Sequence, residues 1–374
     1  MDMGTFTIGR IAGIRIRLSW SFFAVFLLVV WALAENVFPE RNANLSDATY
    51  IAMGLIGGLL FFGSVLVHEL GHALQARREG LEVDGITLWL LGGVAAFKGD
   101  YPGPWSELRV AAAGPAVSLV VGVAGVALGE LLQLPAAADG VVTWLGFTNL
   151  LLLAFNLLPA APLDGGRILR AVLWGVRGDR AWATRISTGA GRGFGALMAG
   201  TGIVLVLATG SLGGLWLAVL GWFLAGSATS EARQQRALDA LSGLRVSDVM
   251  VFNPITVDGG MSIGEFVDSV VGHRHFTTYP VVQGGHVSGL LPFRRLAAVP
   301  RDQWDSVTLA ERMVPLAEVP VVDERDDLTD AIREVASGDL KRALVTDGAL
   351  ITGLFSITDV ADVIDRELAR ERRS

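Results

Sequence analysis

The sequence contains no cysteine. A disulfide framework is therefore excluded, and any bound metal must be held by histidines and carboxylates. Charge is scarce too: Asp, Glu, Lys and Arg make up 18% of the 374 residues, hydrophobic residues 52%, and mean hydropathy is +0.50. Such a chain is not disordered, and it is too apolar for an ordinary soluble enzyme. An excess of basic charge is also missing. Residues 1–240 carry 16 basic and 16 acidic side chains and residues 241–374 carry 14 and 21, so the whole net charge of −7 resides in the second part. An acidic tail of this kind argues against a nucleic-acid partner, which would need a basic footprint. Histidine is rare as well, with five in all and only His68 and His72 before residue 240.

What the chain does have is long apolar blocks up to about residue 230, followed by a globular texture in which apolar and charged residues alternate. This predicts a helical membrane domain over 1–235, a linker at 236–243 and a cytoplasmic α/β domain over 244–374. A hydrocarbon core of about 30 Å needs about 20 apolar residues per helix. Six stretches qualify: 18–36, 50–76, 106–132, 140–160, 184–208 and 212–230. The first follows an N-terminus without a small-residue cleavage site, and so reads as a retained span. The third and fifth are rich in Gly and Ala, which suits close helix approach. Segments 1–17, 77–109 and 161–192 hold 3, 4 and 6 Lys/Arg, whereas 37–49 and 133–139 hold only Arg41. The positive-inside rule then places both termini and the second domain in the cytoplasm of a multi-pass cell-membrane protein. Residues 81–100, "LEVDGITLWLLGGVAAFKGD", are too short to span and read as a β-hairpin at the cytoplasmic edge of the membrane.

The chemistry concentrates in "VLVHELGHALQARREG", residues 65–80. His68 and His72 are an i, i+4 pair, so they project from one helix face, with Glu69 completing HExxH. Zinc accepts two imidazoles at this spacing and lowers the pKa of a bound water to about 7, and Glu69 can take that water's proton. The pattern alone arises by chance in some chains, but ionisable residues at membrane depth are costly and functional by default. A third ligand is needed. Asp164, in "PLDGGR", also lies at the end of a span, among Pro159, Pro162, Gly165 and Gly166, which break the helix. Taken alone, Asp164 reads as the cap of a helix starting at Gly165; beside HExxH it reads as the ligand. Asn156 lies eight residues earlier, where a buried amide must be hydrogen-bonded; it is either helix glue or a holder of a substrate carbonyl. Gly114 and Ser118, in "AAAGPAVS", read on their own as packing residues.

Together "VLVHELGHALQARREG", "LGGVAAFKGD", "AAAGPAVS" and "FNLLPAAPLDGGRILRA" resemble the site-2 protease family of intramembrane zinc metalloproteases, over about residues 8–230. The resemblance implies zinc on His68, His72 and Asp164, Glu69 as general base, and Asn156 in substrate engagement. It places Gly114 and Ser118 in the family's small-residue motif. It also implies that the strand region containing Gly92 and Gly93 pairs with an unwound substrate segment. The outer loops are too short for the PDZ domain of some members. The chain resembles instead the branch with a C-terminal pair of CBS motifs.

The second domain repeats internally: "VSDVM" recurs as "LAERM", "TYPVV" as "RALVT" and "VSGLLPFRRL" as "ITGLFSITDV". Two copies, about 244–303 and 307–370, each read as strand, helix, strand, strand, helix. They resemble CBS motifs, which pack as one module, often bind adenine nucleotides (AMP, ADP or ATP) and support homodimers. In the second copy Asp359 would contact ribose hydroxyls, and Ser356 or Thr358 a phosphate. The first copy has "PFRR" there instead, which weakens its site, and Arg294 and Arg295 read as solvated surface. His273 and His275 are too isolated to be ligands. The resemblance implies cleavage of the transmembrane segments of membrane-anchored regulators, such as an anti-sigma factor or a membrane-tethered transcription factor. A CBS-gated transporter would need polar residues along a crossing path, and a catalytically silent scaffold a damaged motif; neither feature is present.

Overall fold

The computed structural model describes residues 4–90, 92–241, 243–271, 276–348, 350–360 and 363. They divide into two compact units at Gln235/Arg236. The first opens with β1 (Thr5–Ile11) and β2 (Ile14–Ser19), then α1 (Trp20–Ala32), which passes through one wide turn at Leu33–Val37 into α2 (Phe38–Arg41). There follow α3 (Asp47–Arg78), β3 (Glu82–Trp89), β4 (Gly92–Lys98), α4 (Pro104–Leu131), α5 (Ala136–Asn156), α6 (Asp164–Arg177), α7 (Arg180–Thr209) and α8 (Leu212–Leu241).

Six helical stretches are long and apolar enough to cross a membrane: Trp20–Arg41, α3, α4, α5, α7 and α8. The chain is accordingly a multi-pass membrane protein. The helix α6 has 14 residues, too few to span. With 32 residues, α3 is about 48 Å long. It exceeds the hydrocarbon thickness, so its polar last turns can reach the interface. The start of α3 is set by Ser46, whose Oγ accepts the Thr49 amide hydrogen. At its other end the Arg109 guanidinium bonds Glu79 in a two-pronged pair (2.6 and 2.7 Å) and holds that carboxyl down at about 2.

The small residues serve close approach, as expected. A Cβ added at Gly195 or Gly202 of α7 would lie 2.6 or 2.4 Å from an α8 backbone nitrogen. Gly125 of α4 and Gly146 of α5 meet at similar range. Where burial in lipid offers no hydrophobic drive between helices, such backbone proximity supplies the packing.

The hairpin at 81–100 forms, but it does not stand alone, and this corrects the sequence reading. Residues 5–19, taken there as the approach to the first span, form β1 and β2, giving a four-stranded sheet in the order β1-β2-β3-β4. Its inner strands run parallel, Ile16 opposite Ile86 and Leu18 opposite Leu88. Alternate side chains Ile14, Ile16 and Leu18 of β2 and Ile86 and Leu88 of β3 pack on Val65, Leu70 and Ala73 of α3. These contacts seat the sheet on the HExxH turn of α3. Within it β4 is an edge strand.

The second unit is a pair of interlocked repeats. The first contributes β5 (Val251–Phe252), β6 (Val257–Asp258), α9 (Ile263–Phe266), β7 (Thr278–Gln283) and β8 (His286–Pro292). The second contributes α10 (Leu309–Arg312), β9 (Val314–Pro315), β10 (Val321–Asp323), α11 (Leu328–Ser337), β11 (Arg342–Asp347) and β12 (Leu350–Ser356). The sheets are β6-β7-β8-β9 and β10-β11-β12-β5, so each repeat lends its first strand to the other's sheet. Gly289 pairs with Pro315, and Gly353 with Phe252. The closing helix expected in the first copy is only a short turn at Phe293–Arg295. His273 and His275 lie outside the described residues.

Candidate metal centre

His68 and His72 sit on the buried face of α3, at 4% and 5% exposure. Across from them runs α4, which offers Val110, Gly114 and Ser118 at four-residue intervals, hence along one face. The Val110 carbonyl accepts the His72 Nδ1 hydrogen (2.7 Å), and His68 Nδ1 bonds Ser118 Oγ at 2.8 Å. A carbonyl can only accept, so His72 carries a proton on Nδ1, and in the neutral ring Nε2 is then an acceptor. Between these contacts stands Gly114. A Cβ there would lie 2.1 Å from His72 Nε2 and 2.6 Å from His68 Nε2, so only glycine admits both rings.

Asp164 arrives from the other side. The chain breaks between α5 and α6, and α6 begins at Asp164 itself, one residue before the sequence reading. Its first turn is wedged against the preceding backbone. A Cβ on Gly165 would meet the Leu157 carbonyl at 2.3 Å, and one on Gly166 the Ala161 nitrogen at 2.3 Å. From α7, Ser187 Oγ donates to the Gly166 carbonyl (2.7 Å) and its own carbonyl accepts from Ala161 N–H (3.2 Å). The N-cap position is Leu163, which has no side-chain cap. The Asp164 carboxylate faces the two imidazoles, not the helix end, and the capping alternative falls away.

The result is a triangle. Asp164 Oδ2 is 3.2 Å from each Nε2, and the two Nε2 atoms are 3.2 Å apart. Ligands at 2.0–2.1 Å from a tetrahedral zinc stand about 3.3 Å from one another. With both rings neutral and protonated on Nδ1, all three atoms are acceptors that a cation would draw together, and the donor set and its spacing fit zinc. Three protein ligands leave a fourth position open, the pattern of catalytic rather than structural zinc. Among the described residues, His68, His72 and Asp164 are the group able to hold a metal.

Glu69 is half-buried and outside this triangle. Its neighbour is β4: a Cβ at Gly93 would lie 2.4 Å from Glu69 Cγ. Gly92, in the β3–β4 turn, has φ +127, a backbone region that side chains rarely adopt. The two glycines thus serve different needs, one the turn and the other the approach of an edge strand to Glu69. Asn156 is the last residue of α5, half-buried, and its amide makes no hydrogen bond among the described residues. The expectation that it is buried and bonded is corrected.

Sequence reasoning missed the polar cluster behind α6. Arg170 bonds Glu107 Oε1 through Nε (2.7 Å) and Nη2, and Glu231 Oε1 through Nη1 (2.5 Å). Glu107 is fully buried and Arg170 is 9% exposed. In the second unit Ser356 is buried and its Oγ accepts the Thr358 amide hydrogen (3.2 Å). Thr358 is exposed and Asp359 half-buried, facing Arg342. Arg294 and Arg295 are exposed and donate to the backbone carbonyls of Asp339 and Met313.

Comparison with known proteins bears on this geometry. The profile of peptidase family M50 matches residues 56–136 and 133–199, and that of the CBS domain matches 246–301. The chain is 37% identical over 364 residues to Rip3 of Mycobacterium tuberculosis, a protein provisionally named a zinc metalloprotease; the match covers 96% of this chain and 92% of that one. It is 30% identical over 352 residues to a zinc metalloprotease of Methanocaldococcus jannaschii, covering 94% and 93%. Among solved structures, the site-2 protease from Methanocaldococcus jannaschii aligns at TM-score 0.44 and 29% identity, over 61% of this chain and 95% of that one.

Proposed function

Because this chain belongs to peptidase family M50, the site-2 protease-like zinc metalloproteases, and carries a CBS domain, we propose that it is an intramembrane zinc endopeptidase. Its substrates are the transmembrane segments of membrane-anchored regulatory proteins, such as an anti-sigma factor or a membrane-tethered transcription factor. The observation that carries this reading is the acceptor triangle of His68, His72 and Asp164 on helices apolar enough to span a membrane.

His68 Nε2, His72 Nε2 and Asp164 Oδ2 would hold the zinc. When bound, the ion supplies Lewis-acid activation of water and of the scissile carbonyl. Val110 and Ser118 orient the two imidazoles through Nδ1 and so direct both Nε2 atoms toward the metal position. Glu69 accepts the proton of the attacking water and returns it to the departing amide nitrogen. A peptide bond inside a helix is not open to attack, so the substrate must first be extended. The free edge of β4, with Gly93 over Glu69, offers backbone groups to pair with that extended segment. Asn156, whose amide has no partner among the described residues at the end of α5, is assigned to the substrate backbone.

Function in the cell is tested by membrane proteomics of a strain carrying Asp164→Ala. One or more single-span proteins should accumulate uncut relative to wild type, and an unchanged set of membrane proteins would count against the proposal.

The CBS module is assigned to the cytoplasm, on the side of the Lys/Arg-rich loops. We assign it regulation by an adenine nucleotide or through a homodimer, with Ser356, Thr358 and Asp359 as nucleotide contacts. ATP titrated against the purified chain should bind, and Asp359→Ala should weaken binding about tenfold; equal binding by both would remove that residue from the site.

A further inference from the structure

Arg167 follows Asp164 by one turn of α6, a rise of about 4.5 Å. Its side chain is half-buried and its Nε fully buried, yet it makes no hydrogen bond among the described residues. The groups around it are Tyr101, Asp164, Glu231 and Glu107. One oxygen of each of the three carboxylates is already engaged, and none of them bonds Arg167. Glu107 and Glu231 are taken by Arg170, and Asp164 faces the imidazoles. The contrast with Arg170 is sharp: one guanidinium uses three nitrogens on two carboxylates, while the other, a turn nearer the metal centre, uses none. A half-buried guanidinium with an open fork is costly to keep unless something completes it. Its planar donors match a carboxylate in two-pronged geometry.

Peptide-bond hydrolysis at the adjoining triangle produces a carboxylate with every turnover. Resting on the protease reading above, we propose that Arg167 is a binding residue for a peptide carboxylate, either the C-terminus freed by cleavage or an acidic side chain of the substrate. Its fork receives the anion beside the metal centre and sets a preference for where a negative charge falls along the bound chain. Arg170 bonds Glu107 Oε1 and Glu231 Oε1, and neither carboxylate closes the Arg167 fork.

The test uses the zinc-loaded full chain in detergent. Three probes of the same apolar tripeptide are titrated by calorimetry: its free acid, its amide, and an amide with one internal Glu. Arg167→Gln should weaken binding of a carboxylate-bearing probe about tenfold or more, leave the plain amide within about twofold, and leave zinc content unchanged. Arg167→Lys should recover part of the loss, since it restores charge without the fork. Loss on the free acid alone identifies the product terminus, and loss on the Glu probe identifies a substrate side chain. The proposal is overturned by equal loss on all three probes, which means packing, by loss of zinc, which means support of Asp164, or by no change. Cleavage by the wild-type protein is assayed separately. A chain that shows Arg167-dependent binding without cleavage sinks the protease reading and leaves the carboxylate site standing.

Discussion

Replacing Glu69 with Gln should leave one zinc bound per chain and remove peptide-bond cleavage. The two readouts separate because Glu69 is not part of the acceptor triangle, which is made by His68, His72 and Asp164. Gln has nearly the same size, so it keeps the contact with Gly93 of β4 and disturbs no packing. It cannot take a proton from water at neutral pH, and general-base catalysis typically contributes a factor of about 10²–10⁴. The measurement pairs zinc analysis of the purified variant with cleavage of a membrane-inserted substrate. Full activity in a zinc-loaded variant would sink the mechanism. Loss of both zinc and activity would instead make Glu69 part of the metal site.

Gly114→Ala should be as damaging without touching any titratable residue. The new methyl would fall 2.1 Å from His72 Nε2 and 2.6 Å from His68 Nε2, separations that only movement of a ring or of α4 can relieve. Neither is easy. The rings are tied through Nδ1 to Val110 and Ser118 on the same helix as Gly114. The spacing of α3 and α4 is already tight, since a Cβ at Gly71 would stand 3.0 Å from the Ala113 carbonyl. Loss of an orienting contact alone weakens metal binding by about 10–100-fold, and displacement of two ligands should exceed that. The purified variant should therefore contain little zinc and cleave nothing. The control is Gly63→Ala on α3, where an added Cβ meets nothing within 4 Å; it should behave as wild type. A zinc-replete, active Gly114→Ala protein would mean that the helices separate more readily than this packing implies.

The spans, and the histidine pair that the structure brings together with Asp164, were legible in the sequence for one physical reason: lipid makes both conspicuous. Apolar runs of membrane length have few rival explanations, and two histidines at i, i+4 beside a carboxylate stand out where charge is costly. The N-terminal strands were not legible. Residues 5–19 mix arginine with isoleucine just before a span, and their place beside β3 depends on a pairing about 70 residues away, Ile16 with Ile86. Nor was the Glu107–Arg170–Glu231 cluster, whose members are 63 and 61 residues apart; no local period marks such a partnership. The exposure of Asn156 was not legible, because an amide in an apolar run reads as buried, whereas the helix ends on it. Asp164 was a candidate from its place at a span end and a ligand by the family resemblance, but its escape from the capping role depends on the wedge of Gly165 and Gly166 against the backbone of 157–161, which spacing alone does not reveal.

The exchange of first strands in the second unit means that neither repeat is a self-sufficient piece. Cutting the chain after the first repeat would take β9 from the sheet β6-β7-β8-β9, and removing the first repeat would take β5 from its counterpart. A shared apolar layer of Leu290, Val314, Val319, Leu344 and Leu354 would be split in either case. The two halves are hooked together like clasped fingers. They should melt as one, and a small molecule that steadies one half should raise the melting temperature of both.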